Sequence, residues 1–304
     1  MKLMTTEKKI NYRRREKLKD FLCVLPAVIF FALFVYYPIL KLFQISFTNW
    51  NLISDTYKYV GLKNFKWLFQ GSGFASLINS LTITFRYTFW EIVITIAGGL
   101  LLAALFNRES KVFSALRSIV FMPRYIAISA SAIVFMWILN DQYGILNYVL
   151  GVIGLKPIMF NTEENALTAV LILTCWRVIG YGMMIYLSAM KGISPEYYEA
   201  AKLDGANSFQ RFRFITLPLL SPTTLFLFVT TFIASMKVFQ SIDVMTSGGP
   251  YGATEVIVYW IYELAFVDFR VDRAAAVTLV FFVILMGFTA ATMKFTERNI
   301  YYES

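Results

Sequence analysis

Six runs of roughly 20 predominantly apolar residues punctuate the chain, at about 21–40, 81–106, 116–139, 166–190, 219–239 and 275–293, with polar and charged residues gathered between them. A run of that length is what an α-helix needs to cross hydrocarbon, where the backbone must satisfy its own hydrogen bonds. The pattern predicts an all-α integral membrane protein with six transmembrane helices, organised as a single domain over residues 1–304. Composition agrees, since 58% hydrophobic residues and 15% charged ones are not those of an ordinary soluble globule. The mean hydropathy is +0.60.

The net charge of +9 would suggest a nucleic-acid partner in a soluble chain, but its distribution points elsewhere. Seventeen Lys and Arg lie in segment 1–20, in 107–117, in 191–217 and in the tail, against seven in the opposite loops: Lys41, Lys58, Lys63, Lys66, Lys156, Arg270 and Arg273. The positive-inside rule then predicts both termini and loop 191–217 on the cytoplasmic face, with 240–274 as an external loop. The basic start reads as the flank of an uncleaved first span, because the apolar run exceeds a signal core and no small-residue cleavage site follows.

Several chemistries are excluded. There is no histidine, which removes imidazole catalysis and imidazole metal sites, and Cys23 and Cys175 both fall inside expected spans, far from a disulfide framework or a thiolate metal site. The dipeptide Gly-Lys does not occur, so there is no phosphate-binding loop. Glu91 is the only carboxylate well inside a span, too few for an intramembrane hydrolase or for ion-coupled transport. The expectation is a protein that is not an enzyme and binds no cofactor or metal of its own. Arg86 with Glu91, Arg124, Arg177 and Lys237 are costly against lipid and should face the protein interior, an interface or a water-filled path. Arg177, about halfway along the fourth run, is the least able to snorkel to a span end.

Loop 191–217 carries its own signals. Ser194 can cap a helix start, Pro195 suits the first helical position and Glu196 complements the positive end of the dipole. Asp204-Gly205 offers a left-handed residue to end that helix, after which Asn207 and Ser208 are candidate caps for a second one. Phe209, Phe212 and Ile215 then recur every three residues as an apolar stripe. Two short helices meeting at a glycine are expected, with Ala200 and Ala201 keeping the first narrow enough for another protein to approach closely.

Residues 199–218, EAAKLDGANSFQRFRFITLP, carry Glu199, Ala200, Ala201, Gly205, Ile215, Leu217 and Pro218 in an E-A-A-x3-G-x9-I-x-L-P arrangement. This resembles the cytoplasmic docking loop of ABC importer permeases. Leu25-Pro26, Tyr37-Pro38, Ser46-Phe47 and Trp50, the stretch YVGLKNFKWLF at 59–69, Trp137 with Gly144 and Asn147, and TSGGP at 246–250 with Thr254, Tyr262 and Phe266 resemble the sugar permeases of the maltose and glycerol-phosphate uptake group. The likeness covers nearly the whole chain.

The resemblance implies a type I ABC importer permease fold in a bacterial cell membrane. It implies a second homologous six-span permease, two nucleotide-binding ATPase subunits that use ATP and Mg, an extracytoplasmic substrate-binding protein and a sugar or sugar derivative as cargo, with no nucleic acid. It also implies an ATPase-docking site at Glu199, Ala200, Ala201, Asp204, Gly205, Phe209, Phe212, Ile215, Leu217 and Pro218. A substrate path follows at Arg177, Tyr181, Thr231, Ser235 and Gln240, with Val178 and Val238 beside them. Arg177 and Val238 depart from the maltose-type residues at those positions.

Overall fold

The computed structural model describes residues 6–299; positions 1–5 and 300–304 of the expected cytoplasmic termini, and the side chains before residue 19, at 293 and from 295 onward, lie outside the described residues. Among the described residues the backbone is mostly helical, and strand pairing is limited to an isolated bridge between Thr48 and Tyr59. Among the described residues four helices are long and apolar enough to cross a membrane, or up to six if each of two bent pairs is one crossing.

Helix α1 runs as Thr6–Phe31, a π turn Ala32–Tyr36 and Tyr37–Ser46. The π turn lies just before Pro38, whose missing N–H and ring disturb the preceding hydrogen-bond ladder. Helix α2 is Lys63–Gln70, and α3 crosses as Gly73–Phe106. The side chain of Asn64 on α2 donates to the carbonyls of Ser46 and Thr48 at 2.9 and 2.8 Å, closing the loop that carries the 59–69 stretch.

The run at 116–139 is not one straight span. It forms α4, Lys111–Tyr125, and α5, Ile128–Ile138, which meet at 103°. Pro123 lies where a continuous helix would need an N–H, the helix tightens into a 3₁₀ turn over Met122–Tyr125, and Ile126 and Ala127 turn extended. Beyond α5 lies the short α6, Ile145–Val152. Asn147 on α6 pins the following loop by paired hydrogen bonds with Ile158, both 2.9 Å.

Helix α7, Ala166–Lys191, is the most buried of the long spans and the axis of the bundle. Glycine makes this possible. A Cβ on Gly182 would overlap the carbonyl oxygen of Thr95 in α3, and one on Gly180 would overlap that of Val120 in α4. Small residues at these crossings let three backbones approach closely, which is how membrane helices gain packing energy where lipid offers no hydrophobic drive.

Helix α8 is Pro195–Leu203, α9 is Ser208–Leu219 and α10 is Ser221–Met236, the last two meeting at 60° between Pro218 and Pro222. The fifth apolar run was expected to continue to 239, but helical geometry stops at Met236 and resumes at α11, Gln240–Met245, with Phe239 at φ −143° between them. Helix α12, Ile257–Val267, packs Ile257 and Trp260 into a core shared with Leu77, Phe232 and Val277. Thr84 of α3 accepts the backbone N–H of Ile257 at 2.9 Å. Helix α13, Val271–Asn299, completes the bundle, and the C-terminal part of α1 rests on it.

Candidate functional site

The turn between α8 and α9 is built almost entirely from local hydrogen bonds. Ser194 Oγ accepts the N–H of Glu196 at 3.3 Å, with Pro195 in the first turn. At the other end Gly205 sits at φ +79°, the N–H of Ala206 reaches the carbonyl of Ala201 at 2.9 Å, and that of Gly205 reaches Lys202 at 3.0 Å. This pair of bonds is a Schellman cap, which needs a left-handed residue at that position. No heavy atom lies within 4 Å of a Cβ built on Gly205, so conformation and not space selects glycine.

Asn207 then starts α9 with a full capping box. Its side chain accepts from Gln210 N at 2.9 Å while Gln210 Oε1 accepts from Asn207 N at 2.8 Å. The hydroxyls of Tyr198 and Thr216, 2.9 Å apart, tie α8 to α9. Glu199, Ala200, Asp204, Gly205 and Pro218 are exposed, while Ala201, Ile215 and Leu217 are half-buried.

The aromatic stripe divides. Phe209 is 73% exposed, but Phe212 turns against a core cluster that contains Met190 and Leu220. A π turn over Phe212–Thr216 changes the phase of the helix and presents Phe214 instead, 72% exposed. Leu203, at the last helical position before the cap, is 91% exposed. The sequence reading singled out neither Leu203 nor Phe214. The position of Leu203 beside Asp204-Gly205 was a usable signal, whereas the π turn that exposes Phe214 left no mark in a three-residue period. Exposed large apolar side chains around a narrow, alanine-floored turn form a surface suited to a protein partner.

A cavity of about 280 Å³ lies deeper in the bundle, beside α7. Its walls hold Glu91 from α3, Arg124 from the 3₁₀ turn, Arg177 and Thr174 from α7, Lys237 and Val238 from the break between α10 and α11, and Gln240 and Ser241 from the start of α11. Four of the five intramembrane charges noted in the sequence therefore meet, although 146 positions separate Glu91 from Lys237. Arg177 donates to the carbonyl of Ile126 at 2.6 Å, and the guanidinium of Arg124 stands 4.9 Å from the ring centre of Tyr181. Among the described residues the one ion pair within 4.0 Å is Arg270–Asp272, outside this cavity.

Of the expected substrate-path residues, Arg177, Val178, Val238 and Gln240 line this space. Tyr181 contributes to it through Arg124, while Thr231 and Ser235 are buried, with the Ser235 hydroxyl donating to the carbonyl of Phe232 at 3.0 Å. A second cavity of about 530 Å³ is lined by Asn140, Asp141, Gln142 and Tyr143 with Ala166 and Ala169 at the start of α7 and Thr246. Helix α7, with 26 residues, is about 39 Å long; that cavity lies at its start, the Gly205 turn follows its end, and Arg177 lies between them along the helix.

The 246–266 positions form a packed corner. Thr254 is fully buried and donates to Thr246 Oγ1 at 2.7 Å and to the carbonyl of Gly249 at 2.9 Å. A Cβ on Gly248, at φ +76°, would meet the ring of Tyr259 at 2.6 Å.

Known proteins share this arrangement. A family described as "Binding-protein-dependent transport system inner membrane component" matches residues 95–294. The probable ABC transporter permease protein YurN of Bacillus subtilis is 32% identical over 94% of this chain and 98% of its own length. The sn-glycerol-3-phosphate transport system permease protein UgpA of Agrobacterium fabrum is 29% identical over 94% and 97%. In the crystal structure of a bacterial alginate ABC transporter in complex with alginate pentasaccharide-bound periplasmic protein, one chain superposes with a TM-score of 0.80 and 26% identity, covering 97% of this chain and 98% of that one. The chain therefore belongs to the binding-protein-dependent transport system inner membrane components, the multi-pass permeases of ABC importers, and has the type I permease fold.

Proposed function

We propose that this chain is one of two homologous permeases in a bacterial importer for a sugar or sugar derivative, energised by two cytoplasmic ATPase subunits that carry ATP and Mg and supplied by an extracytoplasmic binding protein. The observation that carries the reading is the turn at Gly205, rigidly capped on both sides and rimmed by exposed Leu203 and Phe209 on the Lys- and Arg-rich side of the chain. Supporting it are the glycerol-3-phosphate name of one relative and the alginate pentasaccharide-bound periplasmic protein of a solved one.

The fold supplies a mechanical link. Helix α9 leads from the docking turn into α10 across the 60° bend, and α10 ends at the wall of the charged cavity. Closure of an ATPase dimer against the turn would swing α9 and move Lys237 to Ser241 relative to Arg177, opening the cavity to one face and closing it to the other. Both termini and the turn would then be cytoplasmic, and the Asn140–Thr246 cavity would be the external mouth.

Cysteine placed at the exposed positions Ser208 and Ser247, in a chain freed of Cys23 and Cys175, tests the orientation. An impermeant thiol reagent on intact cells should label the Ser247→Cys variant and spare the Ser208→Cys variant; the reverse pattern would separate the turn from ATP and defeat the assignment. Co-purification of an ATPase subunit, lost on Leu203→Asp with Phe209→Asp, tests the docking surface itself.

A further inference from the structure

The Glu91–Ser241 cavity holds three cations and one carboxylate, each delivered by a different backbone segment. Glu91, Arg124, Arg177 and Lys237 line the same space, and none of them forms an ion pair within 4.0 Å there. An arrangement with surplus positive charge in a low-dielectric region is costly unless something negative enters it. The two guanidiniums do not escape by snorkelling. Arg177 is held by the carbonyl of Ile126, and Arg124 by the face of Tyr181. The wall also offers partners for hydroxyls: Gln240 is an exposed residue that lines the space, and the buried hydroxyl of Ser241 makes no hydrogen bond of ordinary length and angle. The volume of about 280 Å³ is near the lower end of small-molecule sites.

We infer that this cavity takes a polyhydroxylated anion, its carboxylate or phosphate bound by Arg124, Arg177 and Lys237 and its hydroxyls by Gln240 and Ser241. The inference rests on the importer reading above and narrows its cargo to acidic polyols. Guanidinium groups bind both anion types through paired, charge-assisted hydrogen bonds, so this chemistry is common to a uronate and a sugar phosphate.

The test uses the complete purified transporter, with galacturonate, glycerol 3-phosphate and galactose as probes in equilibrium binding. Galacturonate and galactose share a ring and differ by the carboxylate. At least one anion should bind tenfold or more tightly than galactose, and whichever does names the carboxylate or the phosphate as the source. Arg177→Gln and Lys237→Gln should each weaken that anion by roughly tenfold to a hundredfold, the loss expected for a charged hydrogen-bond partner. Arg177→Lys should recover part of it, and both Arg177 variants should elute as the assembled complex.

The inference is overturned if galactose binds as well as both anions, if neither anion binds, or if anion binding survives in the Arg177→Gln/Lys237→Gln double variant. Failure of the importer reading shows separately, as a complex in which ATP hydrolysis does not respond to the binding protein.

Discussion

The proposed docking turn and the charged cavity are both clusters of candidate functional side chains, yet they are assembled on different scales. The capping hydrogen bonds that shape the turn, from Ser194 to Gln210, span five residues or fewer, while the Tyr198–Thr216 pair that ties α8 to α9 spans 18. The cavity draws Glu91, Arg124, Arg177 and Lys237 from four segments and exists only because α3, α4, α7 and α10 pack around one another. A site made of local caps should tolerate damage elsewhere and fail through its own backbone. A site made of converging helices should fail through their crossings.

The largest expected effect therefore comes from Gly182→Leu. Its side chain would drive into the Thr95 carbonyl and part α3 from α7, an overpacking cost of about 3 kcal/mol. Loss of monodisperse protein and a sharp fall in melting temperature are expected; a fully stable variant would mean that α3 and α7 do not depend on backbone contact at this crossing.

Gly205→Val attacks the other kind of site. A β-branched residue at φ +79° is strained by about 1–3 kcal/mol, and the strain is confined to a solvent-exposed turn. Insertion and melting temperature should change little while transport-coupled ATP hydrolysis falls severalfold or more. Unchanged coupling would sink the docking assignment. Asn207→Ala should have a weaker effect of the same sign. It removes one half of the capping box, about 1 kcal/mol, and Asn207→Ser should restore most of the loss.

The smallest expected effect is a pH dependence away from both regions. Burial, helped by the negative charge of Glu263, raises the Glu255 carboxyl from 4.5 to about 7. The folded protein therefore holds this proton more tightly than the unfolded chain does. The stabilisation is present below about pH 4.5 and is lost as pH rises toward 7. Glu255→Gln should remove this part of the slope in melting temperature and raise stability at pH 8, leaving both the turn and the cavity intact. An identical pH profile in the variant would refute the assignment of the slope to Glu255.

The sequence by itself determined what depends on short-range chemistry. Apolar runs located the membrane helices because a span is a local property of about 20 residues. Ser194-Pro195, Asp204-Gly205 and Asn207 located the caps because a cap needs only its nearest neighbours. Even Arg177 could be marked, since a guanidinium in mid-span is anomalous wherever its partners lie. Only the tertiary structure decided which way the helices bend and which charges meet. The 103° break at Pro123 turned one expected span into two helices and placed Arg124 at the cavity wall, and the end of α10 at Met236 freed Lys237 and Val238 to line it. The π turn at Phe212–Thr216 exchanged the exposure of Phe212 for that of Phe214. In each case the local sequence permits more than one backbone path. The choice between them is made by close packing against residues far away in the chain, as at Gly180 and Gly182, where a single added carbon would forbid the approach that brings the cavity together.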